Sequence, residues 1–285
     1  MGTAAVQESQ SIGDRISKRN FEKLSRFIYD YSGIKMPSTK LTMLEGRLRR
    51  RLRATSITSF DDYCDFLFNH GGLEQESVYL IDAVTTNKTD FFREAKHFEF
   101  MQAVALPVLM RAGHRRLRAW SAACSTGAEP YSMAMVMEEF SESEGGIDYA
   151  ILATDLSTDV LQSARNGIYT DEMVSPVPAE LKRKYVMTAK VPGKREVRIT
   201  PRLRSKIGFG RMNLMDEKYQ VGDAMHIIFC RNVLIYFDKQ TQAGVLSRLC
   251  DCLVSGGYMF IGHSESITGF DLPLKQVSNT VFQRL

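Results

Sequence analysis

The chain has 285 residues, 44% hydrophobic and 25% charged, with a formal net charge of +4. That composition is that of an ordinary globular protein and excludes a largely disordered chain. No apolar run approaches the ~18 residues of a membrane span, no apolar leader opens the chain, and five cysteines, an odd number without a CxxC pair, argue for reduced thiols over a disulfide framework.

In chain order, residues 1–17 are small and polar and read as a flexible tail. Phe21, Leu24, Phe27, Ile28 and Tyr31 then recur at spacings of three and four, which predicts a helix stopped by Gly33. A second helix is expected from about Ser38 to Thr55. Its apolar stripe is Leu41, Leu44, Leu48 and Leu52, with Arg47, Arg50 and Arg53 fanning over the other side. Two more helices follow, near Phe60–Phe68 behind the capping residue Ser59 and near Glu74–Val84. Residues 18–85 thus read as an all-helical domain.

After Asn87 the texture changes. Strand-like runs at 117–122, 149–155, 224–232 and 257–265, with TVFQRL at the end, alternate with helical stretches at 129–140, 157–166 and 238–254. This rhythm predicts an α/β domain with a doubly wound, mostly parallel sheet. YVMTAKV and REVRIT flank VPGK and predict a small antiparallel hairpin inserted at about 185–205.

The charge is unevenly placed. Residues 35–55 carry +6, residues 56–85 carry −6 and residues 182–211 carry +10. A basic block suits an acidic partner or a phosphate backbone, and equally a solvated face. The five histidines form no HExxH or HxxxH pattern, so no metal site is expected.

Ligands of a doubly wound sheet bind beyond the carboxyl ends of its strands. The first strand opens into SAACSTGAEPYS, a turn of small residues leading to a helix. The second ends at Asp155, either an acceptor for ribose hydroxyls or the N-cap of the next helix. FCRNVLIYF places an Arg-Asn pair after a buried strand, and LVSGGYMFIGHSE ends a late strand at Gly262 and His263. There is no GxxxxGK[ST] phosphate loop, so S-adenosylmethionine is favoured over ATP.

Together, TTNKTDFFRE (85–94), SAACSTGAEPYS (121–132), ILATDLS (151–157), FGRMNL (209–214), IIFCRNVLIYFD (227–238) and LVSGGYMFIGHSES (253–266) resemble the chemotaxis receptor methyltransferase family, CheR. The resemblance spans residues 18–285. It implies a helical docking domain (18–85), a linker contributing to the cofactor site (86–97), and a class I methyltransferase domain (98–285) carrying the β-insertion. It also implies methyl transfer from S-adenosylmethionine to glutamate side chains of chemoreceptors. By resemblance, Asn87, Thr89 and Arg93 close over the cofactor, Glu129 faces its amino acid part, Asp155 its ribose, and Asn213 and Leu214 its adenine. Arg231 and Asn232 form the pair after the strand. Tyr236 is the aromatic near the transferred methyl, and Arg93 and Tyr236 are the expected catalytic residues. Arg47, Arg50, Arg51 and Arg53 resemble the receptor-docking face. The family further implies cytoplasmic receptor helices as partners, a cytoplasmic location, no nucleic acid and no membrane insertion; a monomer is expected. The glycine-rich turn of members that grip a receptor tail is replaced here by TAKVPGKRE, which leaves tail binding open. A nucleic-acid methyltransferase and a non-catalytic cofactor-binding adaptor are the alternatives. The first lacks its Asn/Asp-Pro-Pro-Tyr-like string, and intact Arg93, Glu129, Asp155, Asn232 and Tyr236 argue against the second.

Overall fold

The computed structural model describes residues 15–188 and 195–285. The described residues divide into two compact units, 15–30 with 35–84, and 31–34 with the described part of 85–285.

The first unit is built from α1 (Lys18–Ser32) as far as Asp30, its last two residues belonging to the second unit, and from α2 (Leu41–Thr55), α3 (Phe60–Asn69) and α4 (Leu73–Val84). Heptad-like spacing puts Leu24 and Ile28 of α1 and Leu44, Leu48 and Leu52 of α2 in the core. Ser59 caps α3 by accepting from Asp62 N, and the acids Asp61 and Asp62 favour its first turn. The expected tail at 1–17 needs correction at its end. Residues 1–14 lie outside the described part, but Ile16 is buried and its amide donates to Glu45 Oε1 at 3.0 Å. An apolar side chain anchors the chain there.

The second unit opens with α5 (Lys96–Phe100), which runs through a π-turn at Met101–Ala105 into α6 (Leu106–Arg111). The α/β part follows: β1 (Arg116–Ala122), α7 (Ala128–Ser143), β2 (Asp148–Asp155), α8 (Thr158–Asn166), β3 (Ile168–Thr170), α9 (Ala179–Tyr185), β4 (Val186–Thr188), β5 (Glu196–Ile199), α10 (Pro201–Arg204), β6 (Ile207–Arg211), β7 (Met225–Cys230), α11 (Lys239–Asp251), β8 (Leu253–Ile261), β9 (Leu274–Ser278) and β10 (Val281–Arg284). The main sheet has the order β6-β2-β1-β7-β8-β10-β9. Its first five strands are parallel and β10 is antiparallel to both neighbours. Order reverses at β1, with β2 on one side and β7 on the other, which makes the crevice beyond β1 the natural ligand site.

All six residues of β7 are buried, as expected of a central parallel strand covered on both faces. Alternation divides the core. Leu117, Ala119, Ile227 and Phe229 face one layer, and Trp120, Ala122, Ile228 and Cys230 face the other. The fold is thus a doubly wound, mostly parallel sheet with a small antiparallel sheet inserted between β2 and β6.

Three expectations change in detail. The helix predicted over 238–254 ends at Asp251, and Leu253 already begins β8, so Gly256 lies within a strand instead of before it. The insertion is larger than a hairpin: β3 pairs with the far side of β5 to give the order β3-β5-β4. A lone hairpin is marginal and the third strand adds the pairing it lacks. The VPGK turn itself lies outside the described residues. β6, with two glycines in five residues, carries little strand propensity and is held by its register against β2, Ile151 opposite Ile207.

Five of the eleven cations of the +10 block at 182–211 pair with acids within the unit. Lys182 pairs with Asp171, Arg183 with Glu180, Lys184 with Glu139 and Glu142, Arg202 with Glu138 and Glu142, and Lys206 with Asp148. Much of this charge fastens the insertion to the C-terminal end of α7.

Candidate active site

The loop after β1 is unusual in its backbone. Ala123 (φ 62) and Ser125 (φ 51) are left-handed, and Gly127 (φ 91) closes the turn as the residue before α7. A Cβ at Gly127 would meet Ala164 Cβ at 2.8 Å, so only glycine fits. Phe92, Glu94 and Asn232 are also left-handed. Five of the seven left-handed non-glycine residues among those described therefore surround one crevice, at the carboxyl ends of β1 and β7. Such strain persists where the surroundings impose it, and it gathers at functional sites.

Asp155 ends β2 and is buried. Its Oδ2 accepts from Ser125 N at 2.8 Å and its Oδ1 from Ser157 N at 2.9 Å. The N-cap position of α8 is Ser157, not Asp155. The Asp155 carboxylate instead pins the glycine-containing turn to the end of β2. Ser125 Oγ donates to Asn87 O at 2.8 Å and ties the linker to the same turn.

Glu129, on the first turn of α7, accepts from Ser121 Oγ at 2.6 Å and from Arg231 Nη1 at 3.1 Å. Burial pushes its carboxyl above the usual range, against the pull of Arg231. The Arg231 side chain is 1% exposed. It bonds Glu94 Oε2 at 2.9 Å and the carbonyl of Arg93, and stacks between Phe98 and Phe229 at 5.6 and 5.5 Å. Asn232 donates to Glu94 Oε1 at 3.2 Å through its side chain and to Glu265 Oε2 at 3.0 Å through its amide.

Glu94 is the hub of this arrangement. Burial alone would raise its carboxyl, but Arg231, Asn232 and the amide of His263 overcome that and lower it from 4.5 to about 2. It is fully ionised at neutral pH. Glu265 is the second hub, accepting from the amides of Gly262, Asn232 and Leu234 at 2.6, 3.0 and 2.8 Å. Its carboxyl is raised because burial outweighs those bonds. Gly262 is obligatory, since a Cβ would lie 2.4 Å from Asn232 Nδ2.

One linker-centred arrangement thus holds two hydrogen-bond clusters, Asn87 with Ser125 and Asp155, and Arg93 (through its carbonyl) and Glu94 with Glu129, Arg231 and Asn232. Thr89 lies half-buried on the linker, and Arg93 Nη1 donates to Lys88 O at 3.1 Å. The remaining expected residues stand apart from it. Asn213 bridges Tyr31 O and Met215 N at 2.6 and 3.0 Å. Leu214 is buried, and the half-buried Tyr236 packs against the same apolar cluster. Sequence reasoning missed Glu94, Glu265, Ser121 and Ser125 as site residues. Glu94 and Glu265 do close the strings TTNKTDFFRE and LVSGGYMFIGHSE, but nothing local to either marks it as a hub.

On the helical unit the four expected docking arginines divide. Arg50 and Arg53 are exposed. Arg47 donates to the carbonyl of Val84. Arg51 is a correction: its side chain is 15% exposed, and its guanidinium grips Glu76 at 2.6 and 3.0 Å and lies 4.5 Å over the Tyr79 ring. Glu76 is buried and also accepts from Tyr63, so Arg51 is held inward by its charge partner.

These residues fit S-adenosylmethionine. The crevice offers two carboxylates, Glu129 and Asp155, acceptors suited to an ammonium group and to ribose hydroxyls. The loop between them carries no cation for a phosphate, and Thr126 Oγ1 is buried there without a hydrogen-bond partner.

Comparison with known proteins agrees. Residues 87–283 match the family model for the CheR methyltransferase SAM binding domain, and residues 19–85 that for the CheR methyltransferase all-alpha domain. The chain is 35% identical over 268 residues to a chemotaxis protein methyltransferase of Borreliella burgdorferi, covering 92% of this chain and 93% of that one. It is 36% identical to chemotaxis protein methyltransferase 2 of Pseudomonas aeruginosa, covering 93% of each. With the Salmonella typhimurium chemotaxis protein methyltransferase it shares 37% over 269 residues, 94% of this chain and 90% of that one. With both of its units matched, and with an S-adenosylmethionine crevice of the expected chemistry, the chain belongs to the CheR methyltransferase family.

Proposed function

We propose that the protein methylates glutamate side chains on the cytoplasmic helices of chemoreceptors, with S-adenosylmethionine as donor and S-adenosylhomocysteine as product. The observation that carries this reading is the pair of hydrogen-bond clusters that the 87–94 linker makes at the ends of β1, β2 and β7, one with Asp155 through Ser125 and one with Glu129 and the Arg231–Asn232 pair.

When bound, S-adenosylmethionine supplies an electrophilic methyl group on a sulfonium. The residues of the chain have a positioning task. A glutamate side chain with a pKa near ~4.3 is already a nucleophile at neutral pH, so no general base is needed. Glu129 would take the ammonium group and Asp155 the ribose hydroxyls. Asn213 and Leu214 line the adenine side, and Asn87 and Thr89 close the linker over the cofactor. Arg93 would hold the substrate carboxylate through one oxygen and leave the other free to attack, with Tyr236 orienting it. Alignment and desolvation supply the acceleration. Arg50 and Arg53 would steer the acidic receptor during encounter. A cytoplasmic, monomeric enzyme fits this role. No helix among the described residues is long and apolar enough to cross a membrane.

The test is transfer from methyl-labelled cofactor into receptor-containing membranes, followed by mild base. Volatile labelled methanol identifies a carboxyl ester. Label in nucleic acid, or no label, refutes the reading. Near-normal turnover of Arg93→Ala with intact cofactor binding would remove Arg93 from its role.

A further inference from the structure

Glu94, His97 and His263 come together from two distant parts of the second unit. Each offers one ligand atom, and the three atoms lie within 4.8 Å of one another. The two imidazole rings have centroids 4.9 Å apart. His97 is buried, whereas His263 is exposed to solvent.

The proton inventory singles out His97 Nδ1. The Thr280 hydroxyl donates to Asn279 O at 2.8 Å, so its oxygen must accept in the 2.8 Å contact with His97 Nε2. His97 therefore carries its proton on Nε2, a tautomer assigned from the hydrogen-bond network. Nδ1 is left as a bare lone pair, buried and without a hydrogen-bond partner. It faces Glu94 Oε2, another acceptor, at 3.4 Å. Two acceptors facing each other, His97 buried and Glu94 half-buried, repel unless a cation lies between them. Their spacing matches the edge of a tetrahedral zinc site, about 3.4 Å for ligands about 2.0–2.1 Å from the ion.

Arg231 already bonds the same Glu94 oxygen at 2.9 Å. A carboxylate oxygen has two lone pairs, so one remains. Arg231 is also bonded by Glu129 at 3.1 Å, so two carboxylates flank the one guanidinium next to the added charge.

We propose that Glu94 Oε2, His97 Nδ1 and the His263 imidazole form a three-ligand site for a transition cation of the zinc class, with water in the fourth position. His263 is the solvent-side ligand that captures the ion, and His97 and Glu94 are the preformed floor. The site has a consequence for the enzyme, which rests on the proposed cofactor placement. Glu94 holds Arg231 and Asn232, so a metal drawing on Glu94 loosens both. Metal and cofactor then oppose one another, each weakening the other by the same factor.

The test titrates the full chain with Zn²⁺ against a chromogenic chelator, and with Co²⁺ for its ligand-field spectrum. One equivalent of Zn²⁺ and a tetrahedral Co²⁺ spectrum are expected. His263→Ala should weaken both by about ten-fold or more while the circular dichroism stays unchanged. The variant retains every cysteine, so thiolate binding cancels in the comparison. Absence of bound Zn²⁺, or equal affinity in His263→Ala, overturns the site. S-adenosylhomocysteine affinity should fall when Zn²⁺ is present in the unmodified protein and not in His263→Ala; an unchanged affinity overturns the coupling. A failure of receptor methylation alone bears on the proposed function and leaves the metal result standing.

Discussion

Replacing Arg231 by methionine removes the one cation that Glu94 and Glu129 share. The side chain is 1% exposed, so water cannot take its place. The Glu94 carboxyl lies at about 2 in place of 4.5. At 1.36 kcal/mol per pH unit, that separation corresponds to roughly 3 kcal/mol of stability at neutral pH. Loss of one partner of a buried ion pair costs about 3–5 kcal/mol by independent measure, so the two agree in size. For a unit of this length, Arg231→Met should lower the melting temperature by roughly 6–12 °C. The pH dependence gives a sharper test. Glu94 has a depressed pKa in the folded state, so its contribution is complete above about pH 4.5 and disappears as pH falls toward 2. Urea titrations across this window should show the gap between the unmodified protein and Arg231→Met narrowing as pH falls. S-adenosylhomocysteine affinity, by calorimetry, should fall with it. A variant within about 1 kcal/mol of the unmodified protein at pH 7, with the gap independent of pH, refutes the assigned role of the Arg231 cluster.

Asp155→Ala leaves the left-handed Ser125 amide without its 2.8 Å acceptor, and S-adenosylhomocysteine affinity should fall by about ten-fold or more by calorimetry. In the helical unit, Arg51→Ala strands the buried Glu76 and should cost about 3 kcal/mol in urea unfolding. Arg53→Glu should change stability by less than about 0.5 kcal/mol, yet slow receptor methylation, most at low salt. At the opposite end of the sheet from the crevice, His226 Nδ1 accepts from Arg118 N at 3.0 Å and therefore must be neutral. Burial, with His114 beside it, lowers its pKa below 6.5. Stability from this group is complete above about pH 6.5 and declines as pH falls below it. His226→Gln should flatten that decline in thermal melts between pH 7 and 5.

Local signals made much of this molecule legible. The stripe of Leu44, Leu48 and Leu52 could satisfy its burial only as a helix. The six-residue apolar run of β7 could be covered only in the middle of a two-sided sheet. Gly127 before a helix and the left-handed Asn232 after β7 mark the crevice through backbone geometry, and Asp155 and Arg231 mark it through the bonds their side chains make at strand ends. Tertiary structure decided what depends on distance. Arg51 and Arg53 are two residues apart and alike in sequence. One turns inward because Glu76 waits there, while the other faces solvent. The +10 block looked like a surface for a partner, yet five of its eleven cations meet acids, chiefly of α7 and the insertion itself. Glu94, His97 and His263 display no motif, since Glu94 and His263 are 169 residues apart. The side chain network and the metal site it implies arise only when folding closes that separation. Net charge, the plainest property of the chain, is small because large opposing charges were placed to meet. Pattern is written along the chain, but pairing requires knowing which distant groups share a desolvated space.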